Sequence, residues 1–182
     1  MTSSRRFLLP PIAALALAAL ALAVSDCGYS SDSKSVMEGQ SVSLGDLQYT
    51  VIFSRYLNPN DSEDSAYLVG QPAPPKGSAY FGVFFEVQNQ SHGPQTLPKT
   101  LTITDAAHQV YDVIPSASLY ALPLGGSAEP QEQVPVLDST PQQGPIEGSL
   151  ALFLLPAAAS DNRPLTLSIP GPEGPAEVTL DL

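Results

Sequence analysis

Cysteine, histidine, tryptophan and basic residues are scarce in this sequence, which has one Cys, two His, no Trp and seven Lys plus Arg. A single cysteine excludes an intramolecular disulfide and the multi-cysteine zinc sites. His92 and His108 lie in the turn-like stretches "NQSHGP" and "DAAHQV", so we expect neither to act as a catalytic base. The formal net charge of -11 disfavours nucleic acid, which is bound through Lys and Arg on phosphates.

Motifs that carry chemistry are also missing: there is no HExxH, no CxxC and no glycine loop of the kind that cradles phosphate. The sequence therefore predicts a protein that is not an enzyme and needs no cofactor. A hydrolase that uses two carboxylates is the less favoured alternative, because acidic residues are plentiful. The densest acidic stretch is "NPNDSED", where Asp61, Glu63 and Asp64 are weak candidates for calcium, and the solvated acidic loop is the preferred interpretation.

The first 26 residues are predicted to be an export signal. "MTSSRR" is basic, "FLLPPIAALALAALALAV" is apolar, and polar residues follow at once. The only cysteine, Cys27, stands next and precedes Gly28 and serines, as in a bacterial lipoprotein. Asp26 departs from the small residue that the lipobox pattern has before its cysteine. We expect lipidation of Cys27, with an acyl chain such as palmitate, on the outer face of the cell membrane.

Three alternatives to this N-terminal prediction stay open. Cleavage after Ala23 would give a freely secreted domain, and no cleavage would leave a short transmembrane anchor. Arg5 and Arg6 also fit the twin-arginine export pattern, although an ordinary basic start is the preferred interpretation.

The remaining chain divides into a Ser-rich tether, 27–40, and a folded body, 41–182. Period-two alternation dominates the body and predicts half-buried strands. The inward residues of the first two strands are Leu47, Tyr49, Val51, Phe53 and Leu57, then Phe81, Val83, Phe85 and Val87. Their outward residues are Gln48, Thr50 and Ser54, then Gly82, Phe84, Glu86 and Gln88.

Later strands complete the prediction of fold class. "SLALFLLP" (149–156) is apolar on both faces, so it is predicted to be a central strand covered on each side or to present a contact surface. "PGPEGP" predicts a hairpin near the end of the chain. Seven or eight short strands at this spacing indicate an all-β, antiparallel sandwich, with a barrel as the alternative. The long irregular segments 58–79 and 120–145 are where we expect a partner site.

Two stretches carry a resemblance to a known family. "GSAYFGVFFEVQNQS" (77–91) and "EGSLALFLLP" (147–156) resemble strands of exported bacterial immunoglobulin-like domains of unknown function. The 120–145 segment departs from that family by a Pro- and Gln-rich insertion. The resemblance implies an immunoglobulin-like sandwich and export, in a family that includes lipoproteins and secreted antigens, and implies no catalytic residues.

The function that follows is a binding or scaffold module displayed on the cell envelope. Its expected partner is another envelope protein or a polymer. The alternative is an accessory subunit of a membrane complex, which would pack an apolar sheet face on its partner.

Overall fold

A computed structural model describes residues 34–181 of the chain, and residues 1–33, with Cys27, lie outside them. The structure is mostly β, as predicted. The described helices are one turn of α-helix, α1 (Ser62–Ser65), and a 3-10 helix (Ala157–Asp161). The strands are β1 (Lys34–Met37), β2 (Ser41–Leu44), β3 (Leu47–Leu57), β4 (Ser78–Asn89), β5 (Gln95–Thr96), β6 (Thr102–Thr104), β7 (Val110–Ile114), β8 (Ser127–Ala128), β9 (Gln133–Val134), β10 (Ser149–Pro156), β11 (Thr166–Ile169) and β12 (Ala176–Thr179).

Nine of these strands form a nearly closed sheet in the order β1-β12-β11-β6-β7-β10-β4-β3-β2. β7 joins the two halves: its first three residues pair with β6, and Val113 and Ile114 pair with β10. The predicted number of strands was too low, because β5, β8 and β9 are two-residue pairings that have no periodic signal. The purely antiparallel prediction was also wrong, since β1 runs parallel to β12. The predicted C-terminal hairpin is confirmed as β11 and β12.

The main core lies between the two halves of the sheet. Alternate residues of a strand point to opposite faces, so each half supplies one apolar face. Fully buried members from both halves are Phe81, Val83, Phe85, Phe153, Ile103, Leu167 and Ile169.

A second, smaller core covers the outer face of β4 and β10. Phe84, Leu150 and Leu152 point outward from these strands and are buried beneath the two long loops. Its other buried members are Leu57, Tyr67, Leu68 and Tyr80. The prediction that 149–156 is a central strand covered on both faces is confirmed. The prediction that Phe84 faces solvent was wrong, because residues remote in sequence pack over it.

A β-bulge in β3 reverses the direction of the side chains that follow it. Val51 pairs with Phe85 and Phe53 pairs with Phe84, so Ile52 is the extra residue. Beyond the bulge the alternation reverses: Phe53 is 43% exposed and Ser54 is buried. Leu57 is buried, but in the second core on the outer face. The predicted facings of Phe53, Ser54 and Leu57 were therefore wrong.

The structure also places β1 within the range 27–40 that was assigned to the tether. Lys34–Met37 form an edge strand on β12, and Gly39, at φ +83°, follows them in the turn toward β2. Within residues 34–181 no helix is long and apolar enough to cross a membrane.

Candidate ligand cleft

Three turns meet at one end of the domain and enclose a cleft of about 570 Å³. Sheet register brings them together: Leu44 pairs with Leu47, Leu47 pairs with Asn89, and Ile169 pairs with Ala176. These pairs place the β2–β3 turn, the segment after β4 and the β11–β12 turn at the same end. The lining residues are Leu44, Gly45, Asp46, Leu47, Tyr49, Pro94, Gln95, Thr96, Pro98, Pro170, Gly171 and Pro172.

Prolines form much of the wall of this cleft. Pro94 and Pro98 lie on one side, and Pro170 and Pro172 lie on another. A proline ring fixes φ and has no N–H, so these walls are stiff, apolar and poor in donors. Gly45, at φ +62°, permits the close approach, because a β-carbon there would lie 3.1 Å from Pro172 Cγ. The fixed φ angles of the prolines and the positive φ of Gly45 therefore shape these walls.

Tyr49 lies at the floor of the cleft and is 2% exposed. Its hydroxyl has no hydrogen-bond partner among residues 34–181. In that range, every side-chain polar atom that is sealed from solvent does have a partner. The hydroxyl therefore reaches solvent, through the cleft that Tyr49 lines. Burial raises the pKa of Tyr49 to about 12, so the phenol stays neutral and able to donate at physiological pH.

Gln95 and Asp46 supply the polar rim. Gln95 Nε2 donates to Asp46 Oδ2 at 3.1 Å and to Ser91 Oγ at 3.2 Å. One carboxylate oxygen of Asp46 is thus held, and the other bonds to no residue among 34–181. The cleft combines apolar walls with a phenol donor and a negative rim, an arrangement that suits binding.

Of the three calcium candidates, Asp61 and Asp64 have structural roles and Glu63 points to solvent. Asp61 is the N-cap of α1, and its Oδ1 accepts from the Glu63 N–H at 2.8 Å. Asp64 is buried, forms a two-bond ion pair with Arg55 and accepts from the Asn58 N–H at 2.7 Å. Glu63 is exposed. Within the described range no three His, Cys, Asp or Glu residues are placed to hold a metal ion.

Both histidines lie in exposed turns. His92 follows β4, and His108, at φ +61°, stands in the β6–β7 turn that Asp105 organises. Burial alone would raise the pKa of Asp105, but hydrogen bonds from the Gln109 N–H and the Tyr111 hydroxyl outweigh it and lower that pKa. Asp105 therefore stabilises the β6–β7 turn.

The cleft differs in position from the expected partner site. The loops 58–79 and 120–145 pack over β4 and β10, where Tyr67 stacks edge-on against Phe84 at 5.1 Å. Sequence reasoning missed the cleft because its prolines come from segments up to 78 residues apart. The one local signal was Tyr49, an inward tyrosine close to a Gly-Asp turn.

Comparisons with known proteins identify similar folds for this chain but assign it to no family. No protein-family model matches the chain, and no curated protein is significantly similar to it. The structure is similar to that of an uncharacterized β-sandwich protein from Clostridium difficile 630, at 14% identity and TM-score 0.52, over 82% of this chain and 95% of that one. It is also similar to the yjhA protein from Bacillus subtilis, at 12% identity and TM-score 0.53, over 80% and 99%. These similarities indicate a β-sandwich-like fold for this chain.

Proposed function

We propose that this chain is a bacterial cell-envelope lipoprotein that displays a non-catalytic, immunoglobulin-like binding module. Cys27 would carry the lipid, and the cleft at the turn end of the domain would bind the ligand. The observation that supports a binding role is the buried Tyr49 side chain, whose unpartnered hydroxyl opens into a proline-walled cleft. Because that hydroxyl reaches solvent through the cleft and bonds to no described residue, it is free to donate a hydrogen bond to an acceptor that a ligand places there.

The lipoprotein part rests on the sequence. A basic start, an apolar stretch and a cysteine followed by small residues are the features of a lipidated export signal. Two or more acyl chains hold a protein stably on a membrane, whereas one gives marginal binding.

The accessory-subunit alternative predicted an apolar sheet face for docking. The apolar outer face of β10 is instead covered by the chain's own loops, through Tyr67, Tyr120 and Ile146. The outer face of β10 therefore gives no support to that alternative. A freely secreted domain stays as the alternative that the next experiment decides.

Cell fractionation of a Cys27→Ala variant tests the anchor, with Ser30→Ala as the matched control. We expect the native chain and Ser30→Ala in the membrane fraction, and Cys27→Ala in the soluble fraction. A Cys27→Ala chain that stays with the membrane would show that lipidation is not the anchor. A native chain found in the soluble fraction would favour the secreted alternative.

A further inference from the structure

The side-chain groups that the cleft leaves free are mostly hydrogen-bond acceptors. Gln95 uses its amide nitrogen to donate to Asp46 Oδ2 and to Ser91 Oγ. The amide oxygen of Gln95 and the second carboxylate oxygen of Asp46 therefore bond to no residue among 34–181. The exposed Thr96 hydroxyl also bonds to none of them, and it can accept or donate. A matching ligand presents several donors to this rim and an acceptor to the Tyr49 hydroxyl.

The charge of the lining favours an uncharged ligand. Among residues 34–181, none of those that line the cleft is Lys, Arg or His, and Asp46 is the one carboxylate. Lys99 follows the lining Pro98 but lines a separate cleft beside β7, and Lys34 is paired with Glu173. A phosphate or carboxylate would therefore meet no cation in the lining. A cation would meet one exposed carboxylate, and exposed ion pairs stabilise little.

The proline walls favour a sugar ring over a peptide strand. A bound strand needs alternating backbone N–H and C=O partners, and the four lining prolines have no N–H to offer. A sugar ring carries C–H groups on its faces and hydroxyl groups on its edge. Its C–H groups would pack on the proline rings while its hydroxyls donate to the acceptors of the rim. The cleft of about 570 Å³ lies within the range of small-molecule sites.

The floor of the cleft favours an acetamido substituent on that ring. The Tyr49 hydroxyl is free to donate, and the lining around it includes Leu44 and Leu47. A ring hydroxyl placed there would bring an O–H hydrogen of its own into apolar surroundings, where an unmade hydrogen bond is costly. An amide carbonyl accepts without that hydrogen, and the methyl group of an acetamide packs on apolar walls. The floor therefore suits the acetyl end of an acetamido group.

We propose that the cleft binds the N-acetylhexosamine units of an envelope polysaccharide. The acetamide carbonyl accepts from Tyr49, the ring hydroxyls donate to Asp46 and Gln95, and the C–H groups of the ring pack on the prolines. This inference rests on the binding function proposed above and names the ligand class of the same cleft.

Binding is measured by titrating the full-length mature protein, in detergent micelles, with neutral sugar trimers. The probes are triacetylchitotriose and cellotriose, which share the same linkage and differ in the acetamido groups. Triacetylchitotriose should shift the amide resonances of Asp46, Gln95 and Thr96 in a saturable way and leave that of Asp112 unchanged. Cellotriose should bind about 2- to 10-fold more weakly, the range for one hydrogen bond.

Two further probes represent the competing ligand classes. The chitosan trimer has free amino groups in place of the acetamides, and capped trialanine has amides but no sugar hydroxyls. Both should bind more weakly than triacetylchitotriose. Tighter binding of the chitosan trimer would indicate a cation site, and equal binding of trialanine would indicate a peptide site. Either result, equal binding of cellotriose, or no shift with triacetylchitotriose would overturn the inference.

A tyrosine variant ties the acetamide to the floor of the cleft. Tyr49→Phe should weaken triacetylchitotriose about 2- to 10-fold and leave cellotriose unchanged, so that the preference between the two sugars disappears. Tyr120→Phe is the matched control, because its hydroxyl also bonds to no residue among 34–181 but its ring packs on the second core. It should leave both sugars unchanged. A preference that survives Tyr49→Phe would contradict the assigned donor.

A carboxylate variant tests the rim. Asp46→Asn should weaken triacetylchitotriose and cellotriose by a similar factor, about 2- to 10-fold, because both sugars carry the ring hydroxyls. Asp112→Asn is the matched control, since this carboxylate is exposed on β7 and does not line the cleft. Equal loss in the two variants would contradict binding at this rim.

The two proposals fail in different ways. Micelles hold the chain with or without a lipid, so the titration does not depend on the anchor. If the native chain appears in the soluble fraction, the envelope function fails even where the acetyl-dependent binding is found. If the anchor on Cys27 holds and the acetamido groups make no difference, only the inference about the ligand fails.

Discussion

Replacing Phe84 by alanine should destabilise the domain strongly, although period-two alternation puts this residue on the solvent face of β4. Its ring is fully buried in the second core and packs edge-on against Tyr67, with centroids 5.1 Å apart at 82°. Truncation of a buried phenylalanine costs about 3–5 kcal/mol through lost transfer energy and the cavity left behind. For a domain near 150 residues this corresponds to a fall in Tm of about 6–20 °C.

The assay is equilibrium urea unfolding, with Phe53→Ala as the matched control. Phe53 is the cross-strand partner of Phe84 but is 43% exposed, so its removal should cost less than about 1.5 kcal/mol. The midpoint should fall far more for Phe84→Ala than for Phe53→Ala, at a similar m value. Equal losses for the two variants, or a loss below about 1 kcal/mol at Phe84, would refute the second core.

Three further substitutions test other contacts by the same unfolding assay. Asp64→Asn should cost about 2–3 kcal/mol, below the range for a fully buried pair because the Arg55 side chain is 33% exposed, and a neutral result would refute the ion pair's role. Asp105→Asn should destabilise the domain at pH 7, and the difference should shrink as pH falls below about 4, because a lowered pKa contributes stability above the unfolded value and loses it as the carboxylate is protonated; a difference independent of pH would contradict this. Gly148→Ala should cost more than about 2 kcal/mol, since φ is +99° and a β-carbon would lie 2.7 Å from a carbonyl oxygen of the neighbouring strand; unchanged stability would contradict the strained position.

Local patterns predicted the strands well where alternation runs unbroken. The inward facings of Leu47, Tyr49 and Val51 are confirmed, because one buried face requires every second residue to be apolar. The prediction fails past Ile52, where one extra residue reverses the facing without changing the composition of the strand. Periodicity carries no signal for such a bulge when both neighbouring residues are apolar.

Contacts between distant segments account for the rest. Phe84 stands between small and polar outward residues, so nothing near it in sequence shows that Tyr67 covers it. β1 was assigned to a tether since "KSVM" is too short to show a period, and its pairing with β12 joins residues 142 apart. Asp64 was a weak calcium candidate in a loop expected to be solvated, because the sequence does not show that Asp64 is buried and paired with Arg55.

The cleft, too, depends on contacts between segments that are distant in the sequence. Its four prolines are visible in the sequence, but their meeting depends on the register of β2, β3, β11 and β12. The unpartnered hydroxyl of Tyr49 is a property of the folded surroundings, and no composition argument reveals it.

The central claim is that a lipid on Cys27 holds the chain on the membrane and that the folded domain after it is a binding module. The intact mass of the mature protein from membranes, with its N-terminal peptide identified, tests this most directly. The account predicts a chain that begins at Cys27 and carries diacylglycerol and an acyl chain, despite Asp26. A mass that begins at Val24, without lipid, would contradict it.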